Sequence, residues 1–279
     1  MALIHFSNIT WQKPLRQKIV KLAEWLETTG GVIIGYSGGV DSTFLSAMAF
    51  QILGKKTLAV TINTPFLAGS ELREARSLAR LIGVRHRVVK MDIFDDPQLI
   101  ANPPDRCYHC KKLDFSALFA LADKINIKHV CDGGNADDTK DYRPGNRATS
   151  ELGVDSPLRE FGFSKSDIRM ASRKLGLPTA DKPAAACLAS RLPYGTPFTP
   201  EALRTVEKSE DALKTLGFRQ CRLRLHGEVG RIEIPPKDFK RIVAQSGKIV
   251  AALRKAGVRY VTLDLQGYRM GSLNESLKL

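Results

Sequence analysis

One short stretch, SGGVDS at positions 37–42, constrains the fold more than any other part of the chain. It follows an apolar run, Val32–Tyr36, and precedes a helical pattern that ends at Gly54. When a buried strand enters a glycine turn and then a helix, backbone N–H groups and the positive end of the helix dipole converge on one point. The stretch therefore predicts an anion site in an α/β fold, and an ordinary tight turn is the alternative.

The residues around this stretch alternate between strand and helix patterns. Strands are predicted at 57–62, 87–91 and 129–132, and helices at 12–29, at 70–81 with Ser70 as N-cap, from Asp105 onwards, and at 164–175. Short strands that alternate with helices favour a doubly wound parallel sheet, in which ligands bind at the carboxyl ends of the strands. The predicted fold class is therefore α/β.

A second, smaller α/β unit is predicted from residue 200. Its elements are a helix at 201–216, strands at 221–226 and 230–234, helices across 237–256 and a strand at 259–265. Arg222 and Arg224 lie two apart on a strand and so point to the same face, where two guanidinium groups can grip a phosphate. A solvated strand face is the alternative. Cys221 has the opposite orientation and is predicted to lie in the core.

The formal net charge of +14 calls for a partner or a physical reason. Residues 200–279 carry 16 Lys and Arg against 9 Asp and Glu, which is half of that excess. Such a surface suits nucleic acid or small phosphorylated ligands, and a solvated basic surface is the alternative. Because no apolar stretch of about eighteen residues and no basic and apolar leader is present, the default expectation is a cytoplasmic enzyme.

Five cysteines in such a chain argue against a disulfide framework and for metal, cluster or catalytic use. Cys107 and Cys110 are three apart at the start of a predicted helix that Asp105 can cap, so both thiols project from one face. A helix N-terminus also favours the thiolate. Cys131 lies inside an apolar strand and is predicted to be a core residue.

Cys187 lies in a segment, residues 181–195, that is rich in proline and small residues. The segment is too irregular for a helix, and long loops in compact enzymes are often functional. Three neighbouring alanines leave the thiol accessible, and Lys182 and Arg191 are predicted to stabilise its thiolate.

A glycine loop, residues 133–138, leaves the strand at 129–132. Its glycines allow close approach of the backbone to a ligand. Asp137 or Asp138 can organise magnesium on a pyrophosphate, or alternatively cap a turn, and Arg143 can reach phosphate.

Several strings then agree in order and spacing: SGGVDS, DRCYHCK, DGGNADD, DYRPG, DKPAAACLASRLPYGTP, CRLRLHGEVGRIEIP and VTLDLQGYRMGSLNE. The first lacks the Gly-Lys-Ser/Thr ending of a Walker A loop and resembles the SGGxDS loop of the PP-loop ATPases. Together the strings resemble the LarE family of PP-loop sulfur transferases over nearly the whole chain. The resemblance implies adenylation of a pyridinium dicarboxylate mononucleotide by ATP, then replacement of oxygen by sulfur, twice, to give the bisthiocarboxylate. That product belongs to the nickel-pincer cofactor that the family makes for lactate racemase.

The resemblance also implies roles for particular residues. ATP and Mg²⁺ contacts are expected at Ser37, Gly38, Gly39, Asp41, Ser42, Thr61, Gly134, Asp138 and Arg143. Substrate contacts are expected at Ser190, Arg222 and Arg224, with Glu233 and Asp264 as organisers. Cys107, Cys110 and Cys187 resemble the ligands of the three-cysteine branch, which holds a 4Fe-4S cluster that delivers sulfide. In the other branch the loop cysteine gives up its own sulfur and becomes dehydroalanine.

The expected organisation is an ATP-binding domain at 1–178, a cysteine loop at 179–199, and a substrate-binding and oligomerisation domain at 200–279. Family resemblance implies a homo-oligomer, a hexamer, a small-molecule nucleotide substrate and a sulfide donor. The main alternative is a PP-loop tRNA thiolase, although the chain has no recognisable RNA-binding module. An amidating ligase of the NAD-synthetase type leaves the cysteines unused, and a non-enzymatic nucleotide-binding module is the weakest alternative.

Overall fold

The computed structural model describes residues 4–140, 144–183, 186–269 and 271–276. The chain divides into two compact units. The first comprises Met1–Thr64, Gly69–Met91 and Asp105–Ala185, and the second comprises Pro65–Ala68, Asp92–Pro104 and Ala186–Leu279. The second unit therefore includes two short segments from the N-terminal half. The functional division into three parts stays a prediction. In the part of the chain described, no helix is long and apolar enough to span a membrane.

Helices and strands alternate along most of the chain. The helices are α1 (Lys13–Thr29), α2 (Val40–Leu53), α3 (Gly69–Ile82), α4 (Pro97–Ile100), α5 (Arg106–Lys124), α6 (Pro144–Glu151), α7 (Pro157–Glu160), α8 (Lys165–Leu175), α9 (Pro200–Thr215), α10 (Phe239–Ala244) and α11 (Ser246–Ala256). The strands are β1 (Val32–Gly35), β2 (Thr57–Asn63), β3 (Arg85–Lys90), β4 (His129–Cys131), β5 (Arg222–His226), β6 (Val229–Glu233) and β7 (Tyr260–Leu263).

The sheet of the first unit is parallel, with strand order β3-β2-β1-β4. The chain runs outwards from β1 to β3 and then returns to the other side of β1, so the order reverses between β1 and β4. Ligands of open α/β sheets bind outside the carboxyl ends of the strands at such a reversal. The predicted fold class is confirmed, and its topology places SGGVDS at the reversal.

Both faces of this sheet are covered. Val32 and Ile34 belong to a buried cluster with residues of α1, α2, α3 and α8. Ile33 belongs to another cluster, with Phe115 and Leu118 of α5. Alternate side chains of a strand point to opposite faces, so the continuous apolar run of β1 is explained by burial on both sides. Cys131 is fully buried, as predicted for a core residue.

The second unit contains a three-stranded sheet, β5-β6-β7, in which β5 and β6 are antiparallel and β6 and β7 are parallel. One face packs with α9, α10 and α11 around Leu223, Ile232 and Leu253. Cys221 lies in this core, where burial raises the pKa of its thiol to about 12. The opposite face of the sheet carries charged side chains.

Two local predictions were wrong. Ser70 does not cap α3, because the helix begins one residue earlier, at Gly69. Asp105 occupies the N-cap position of α5 without a side-chain cap bond, and its Oδ2 lies 3.5 Å from His109 Nε2 instead. The helices predicted across 237–256 are present as α10 and α11, which meet at Gln245, where φ −103° and ψ 11° depart from helical values.

Gly230 of β6 provides a test of packing in the second unit. A Cβ there would lie 2.6 Å from Val258 Cγ1 and 3.1 Å from Leu223 Cδ1, both in the core. We therefore expect Gly230→Ala to lower the free energy of unfolding by about 1–3 kcal/mol, measured by urea denaturation. The matched control is Gly247→Ala in α11, where a Cβ meets open space. Equal stability of the two variants would contradict the predicted clash.

Candidate active site

The SGGVDS loop links β1 to α2 at the carboxyl edge of the sheet. Gly38 has φ +68°, and a Cβ there would lie 3.0 Å from Ala75 Cα, so this position requires glycine for both reasons. The Gly39 N–H donates to Ser37 Oγ at 3.2 Å, and Ser37 Oγ lies 3.2 Å from Ser42 Oγ. The two serines predicted from the sequence therefore lie together beside the first turn of α2.

The loop that leaves β4 lies against this first turn. A Cβ on Gly133 would lie 3.1 Å from the Ser42 backbone nitrogen, so the two loops approach closely. A Cβ on Gly134 would clash with the Arg159 guanidinium group, which therefore lies directly over this glycine. Sequence reasoning predicted a role for Gly134 and missed Arg159, a cation at the same edge of the sheet.

Asp41 forms an ion pair with Lys165, the first residue of α8, with Nζ 2.5 Å from Oδ2. Burial raises the pKa of the Asp41 carboxyl group, and Lys165 acts in the opposite direction. Oδ1 of Asp41 is buried and has no hydrogen-bond partner among the described residues. Lys165 was missed by sequence reasoning, because it lies 124 positions from its partner.

Lys182 also lies at the SGGVDS loop. Its Nζ donates to the Gly38 carbonyl at 3.0 Å and lies 2.8 Å from Glu74 Oε2. The Arg169 guanidinium group fixes the adjoining backbone by donating to the Ala180 and Lys182 carbonyls at 2.6 Å and 2.8 Å. The Lys182 Nζ therefore has partners within the first unit, and its role at the Cys187 thiolate stays a prediction.

The two acidic residues of the glycine loop have different environments. Asp137 Oδ2 accepts a hydrogen bond from the Lys165 backbone nitrogen at 2.8 Å, which fixes the start of α8. Asp138 is buried, and its Oδ2 accepts from the Asn135 nitrogen at 3.0 Å. Its negative charge contributes to the raised pKa of Asp41. Arg143, the remaining predicted phosphate contact, lies outside the described residues.

Thr61 is buried, and its hydroxyl group forms hydrogen bonds with two neighbours. Its hydroxyl group donates to the Tyr36 carbonyl at 2.6 Å and lies 2.8 Å from His86 Nε2. Because the single hydroxyl proton goes to the carbonyl, His86 must donate from Nε2. Burial, reinforced by the positive charge of Arg76, lowers the pKa of His86. The role of Thr61 as a nucleotide contact stays a prediction.

The hydrogen bond between Thr61 and His86 predicts that the stability of the fold depends on pH. Because the pKa of folded His86 lies below the ordinary 6.5, the unfolded chain binds the proton more readily. The free energy of unfolding should therefore fall as the pH drops through about 6.5. We expect His86→Gln, whose amide can still donate to Thr61, to lose less stability than wild type between about pH 7.5 and 5.5 in urea denaturation. Exposed His5→Gln is the control, and equal slopes for wild type and His86→Gln would contradict this assignment.

Cys107 and Cys110 lie in the first turns of α5, with Cys107 exposed and Cys110 half-buried. The Cys110 thiol lies 3.9 Å from Asp114 Oδ2, and burial raises the pKa of that carboxyl group to about 6. Between the cysteines, Tyr108 donates to Glu151 at 2.6 Å, and the Arg147 guanidinium group stacks 3.9 Å above its ring. These contacts tie α5 to α6 beside the thiols.

Cys187 belongs to the second unit and is exposed. It precedes a 3₁₀ helix, Leu188–Arg191, and we call residues 187–191 the cysteine turn. Over the described ranges, no group of three or more His, Cys, Asp or Glu side chains is arranged to hold a metal ion. The Arg191 guanidinium group donates to backbone carbonyls, Ser190 and Glu210, and its effect on the Cys187 thiolate stays a prediction.

The charged face of the second sheet carries the other predicted residues. Arg224 is buried and donates to both oxygens of Glu233, which is fully buried. Arg222 is half-buried, with its guanidinium group 5.4 Å from the centre of the Tyr268 ring. Asp264 lies 3.5 Å from Arg231, which also pairs with Glu233. Glu233 and Asp264 thus organise arginines, while substrate contacts of these residues stay predictions.

Comparison with known proteins connects these features. A family model described as NAD synthase matches residues 15–100, which include the SGGVDS loop. A pyridinium-3,5-bisthiocarboxylic acid mononucleotide synthase of Lactiplantibacillus plantarum is 36% identical over 94% of this chain and 96% of its own length. The chain belongs to the LarE family.

Two further relatives match with similar coverage. An uncharacterised protein of Synechocystis is 41% identical over 94% of this chain and 99% of its own length. Another, from Methanocaldococcus jannaschii, is 31% identical over 91% and 98%. As a LarE-family member, the chain is an ATP-dependent sulfur transferase with a PP-loop ATPase fold, which confirms the predicted enzyme class.

One sequence signal could have revealed a missed residue of this LarE-family chain. Leu203, Val206 and Leu213 form the buried stripe of α9, and Glu210 shares the same helical face. A carboxylate in an apolar stripe predicts a buried cationic partner, here Arg191. Lys165 and Arg159 had no comparable local signal.

Proposed function

We propose that this chain adenylates the carboxylate of a pyridinium-3,5-dicarboxylate mononucleotide and replaces oxygen by sulfur to give the bisthiocarboxylic acid mononucleotide. One observation carries the proposal: a chain with a PP-loop at the sheet reversal also presents an exposed cysteine on an ordered turn. ATP activation and a sulfur nucleophile are the two requirements of this reaction. The name of the Lactiplantibacillus relative supplies the substrate class.

The first step is supported by the groups at the SGGVDS loop. The backbone N–H groups of the loop, together with Lys165, Lys182 and Arg159, supply positive charge for a triphosphate. Asp41, with its unpartnered oxygen, and Asp138 can hold Mg²⁺, which commonly takes one or two protein carboxylates and completes its shell with phosphate and water. The substrate carboxylate attacks the α-phosphorus, pyrophosphate leaves, and the carbonyl carbon becomes electrophilic.

Sulfur delivery is the second step, and we assign it to Cys187. The thiols of Cys107, Cys110 and Cys187 have the donor chemistry that iron–sulfur clusters require. When bound, a 4Fe-4S cluster with three cysteine ligands would offer an iron position for an additional sulfide from a donor. The alternative is that the Cys187 sulfur attacks the acyl adenylate, AMP leaves, and elimination from the resulting thioester yields the thiocarboxylate and dehydroalanine.

The remaining assignments follow from the same proposal. Residues 1–178 bind ATP, 179–199 deliver sulfur, and 200–279 bind the substrate and form a homo-oligomer. Ser190 and Arg222 bind the substrate phosphate. Nucleic acid is not required as a partner, and many arginines of residues 200–279 already pair with carboxylates. The product would enter a nickel-pincer cofactor.

An anaerobic single-turnover reaction with ATP and the dicarboxylate, followed by intact mass, tests the proposal. Loss of about 34 Da, one sulfur and two hydrogens, would make Cys187 the sacrificial donor. Thiolated product with unchanged protein mass would support delivery through the three cysteines, and iron and sulfide analysis after anaerobic reconstitution would then have to be positive. No thiolated product, with amide formed from ammonia or tight salt-dependent tRNA binding, would overturn it in favour of a ligase or a tRNA thiolase.

A further inference from the structure

The cysteine turn is held by a buried ion pair. Arg191 and Glu210 are 3% and 4% exposed, and they form a two-pronged contact, Nε to Oε1 at 2.7 Å and Nη2 to Oε2 at 3.0 Å. Burying two charges is costly, and a buried ion pair is weak evidence of added stability. The pair therefore calls for an explanation other than stability, and its remaining hydrogen bonds supply one.

The remaining nitrogen of the Arg191 guanidinium group, Nη1, is directed at the cysteine turn itself. Nη1 contacts the carbonyls of Ala186 and Cys187 at 2.8 Å and 3.1 Å, and Ser190 Oγ at 2.7 Å. Ser190 Oγ in turn donates to the Cys187 carbonyl at 2.9 Å. Because the planar guanidinium group is rigid, fixing its Nε edge on Glu210 also fixes these carbonyls.

Glu210 is itself anchored to the sheet. Its Oε1 accepts a hydrogen bond from the Leu223 backbone nitrogen at 3.1 Å. Since β5 is an edge strand of the sheet, its outward N–H groups are available to a side chain. Hydrogen bonds therefore connect β5 through Glu210 and Arg191 to the backbone carbonyls of Ala186 and Cys187.

A second buried pair reaches the other end of the turn. Arg224 bonds both oxygens of Glu233 at 3.1 Å and 3.0 Å, and it also donates to the Ser190 carbonyl. From the opposite direction, the Leu188 nitrogen donates to the Phe66 carbonyl at 2.9 Å. The backbone of the turn is held on several sides, while the Cys187 side chain stays exposed.

We infer that the Arg191–Glu210 pair is a positioning device, which holds the Cys187 carbonyl and so aims the thiol at the activated carbonyl group. This inference rests on the proposed sulfur transfer. Neither residue touches the reacting atoms; they act through the backbone of the turn. Reactions of oriented groups lose about 10²-fold in rate for a displacement near 1 Å, so a loosened turn should slow sulfur delivery and leave adenylation intact.

The test compares Arg191→Gln, Arg191→Lys and Glu210→Gln in the full chain by three measurements. We expect Arg191→Gln to release pyrophosphate at the wild-type rate and to form thiolated product about 10²-fold more slowly. Amide hydrogen exchange should be faster by about tenfold in residues 186–192 and unchanged in α5. Arg191→Lys should restore part of both losses. Arg259→Lys, at an exposed ion pair with Glu228, is the control.

Each result decides the inference. Wild-type exchange at the turn in Arg191→Gln, or an equal decline of pyrophosphate release and product formation, would overturn it. If Arg191→Gln fails to fold, Glu210→Gln takes its place with the same expectations, and Arg191→Lys should show smaller losses of the same kind. A wild-type chain that forms no thiolated product would refute the proposed function, whereas the exchange measurement would still decide whether the pair fixes the turn.

Discussion

Cys187→Ser should abolish thiolated product while pyrophosphate release continues. Both routes considered for sulfur delivery use the Cys187 sulfur, either as a cluster ligand or as the donor, and a hydroxyl group can do neither at neutral pH. Because the side chain is exposed, the substitution removes no core contact and should leave the fold intact. We expect product to fall by more than about 10²-fold and pyrophosphate release to stay within about threefold, measured in the same anaerobic reaction.

Cys107→Ser and Cys110→Ser separate the two routes. If the three cysteines act together, either variant should lose product to the same extent as Cys187→Ser. If Cys187 is sacrificial, both variants should form product in the first turnover and then show the lowered protein mass. Product from Cys187→Ser at the wild-type rate would contradict any role for this thiol.

Asp41→Ala should nearly abolish pyrophosphate release. The substitution removes the carboxylate that pairs with Lys165 at 2.5 Å, together with the buried, unpartnered oxygen that we assign to Mg²⁺. It leaves the lysine without its partner at the loop where phosphate charge must be stabilised. Loss of one such electrostatic group typically costs about 10²–10³-fold in rate, and a coupled pyrophosphate assay at saturating ATP measures it.

Asp155→Asn is the matched control for Asp41→Ala. Asp155 also pairs with a basic side chain of the first unit, His129, at 3.0 Å, and its backbone bonds to β4. It should keep wild-type pyrophosphate release. Asp41→Asn combined with Lys165→Met should lose less than the sum of the two single losses if the pair acts as a unit. Strict additivity would mean that the two residues act separately.

The sequence by itself determined those features that depend on neighbouring residues. A buried strand, two glycines and a helix start within Val32–Ser42 are contiguous, so their backbone conformations and the anion site follow from local chemistry. Helical spacing placed Cys107 and Cys110 together for the same reason. The cores of both units, including Cys131 and Cys221, followed from the period of apolar side chains.

Only the tertiary structure decided which charges meet. Lys182 lies five positions from Cys187 in sequence, yet its partner is Gly38, 144 positions away, and Lys165 lies 124 positions from Asp41. The local sequence shows that a lysine is present, but it does not indicate which distant carboxylate the lysine will pair with. The choice depends on how strands are ordered in the sheet, because that order brings remote loops to one edge.

The same dependence on tertiary structure explains which charges pair in the second unit. Two arginines on one strand face are predicted to grip a phosphate, and that role stays a prediction. The structure shows in addition that Arg224 contacts Glu233 on the neighbouring strand and the cysteine turn. Pairing register between β5 and β6 sets that contact, since Arg222 stands opposite Glu233 and Arg224 opposite Arg231. Sequence supplied the residues and their faces; the long-range packing of α9, β5 and the cysteine turn decided that two buried Arg–Glu pairs would fix the backbone next to Cys187.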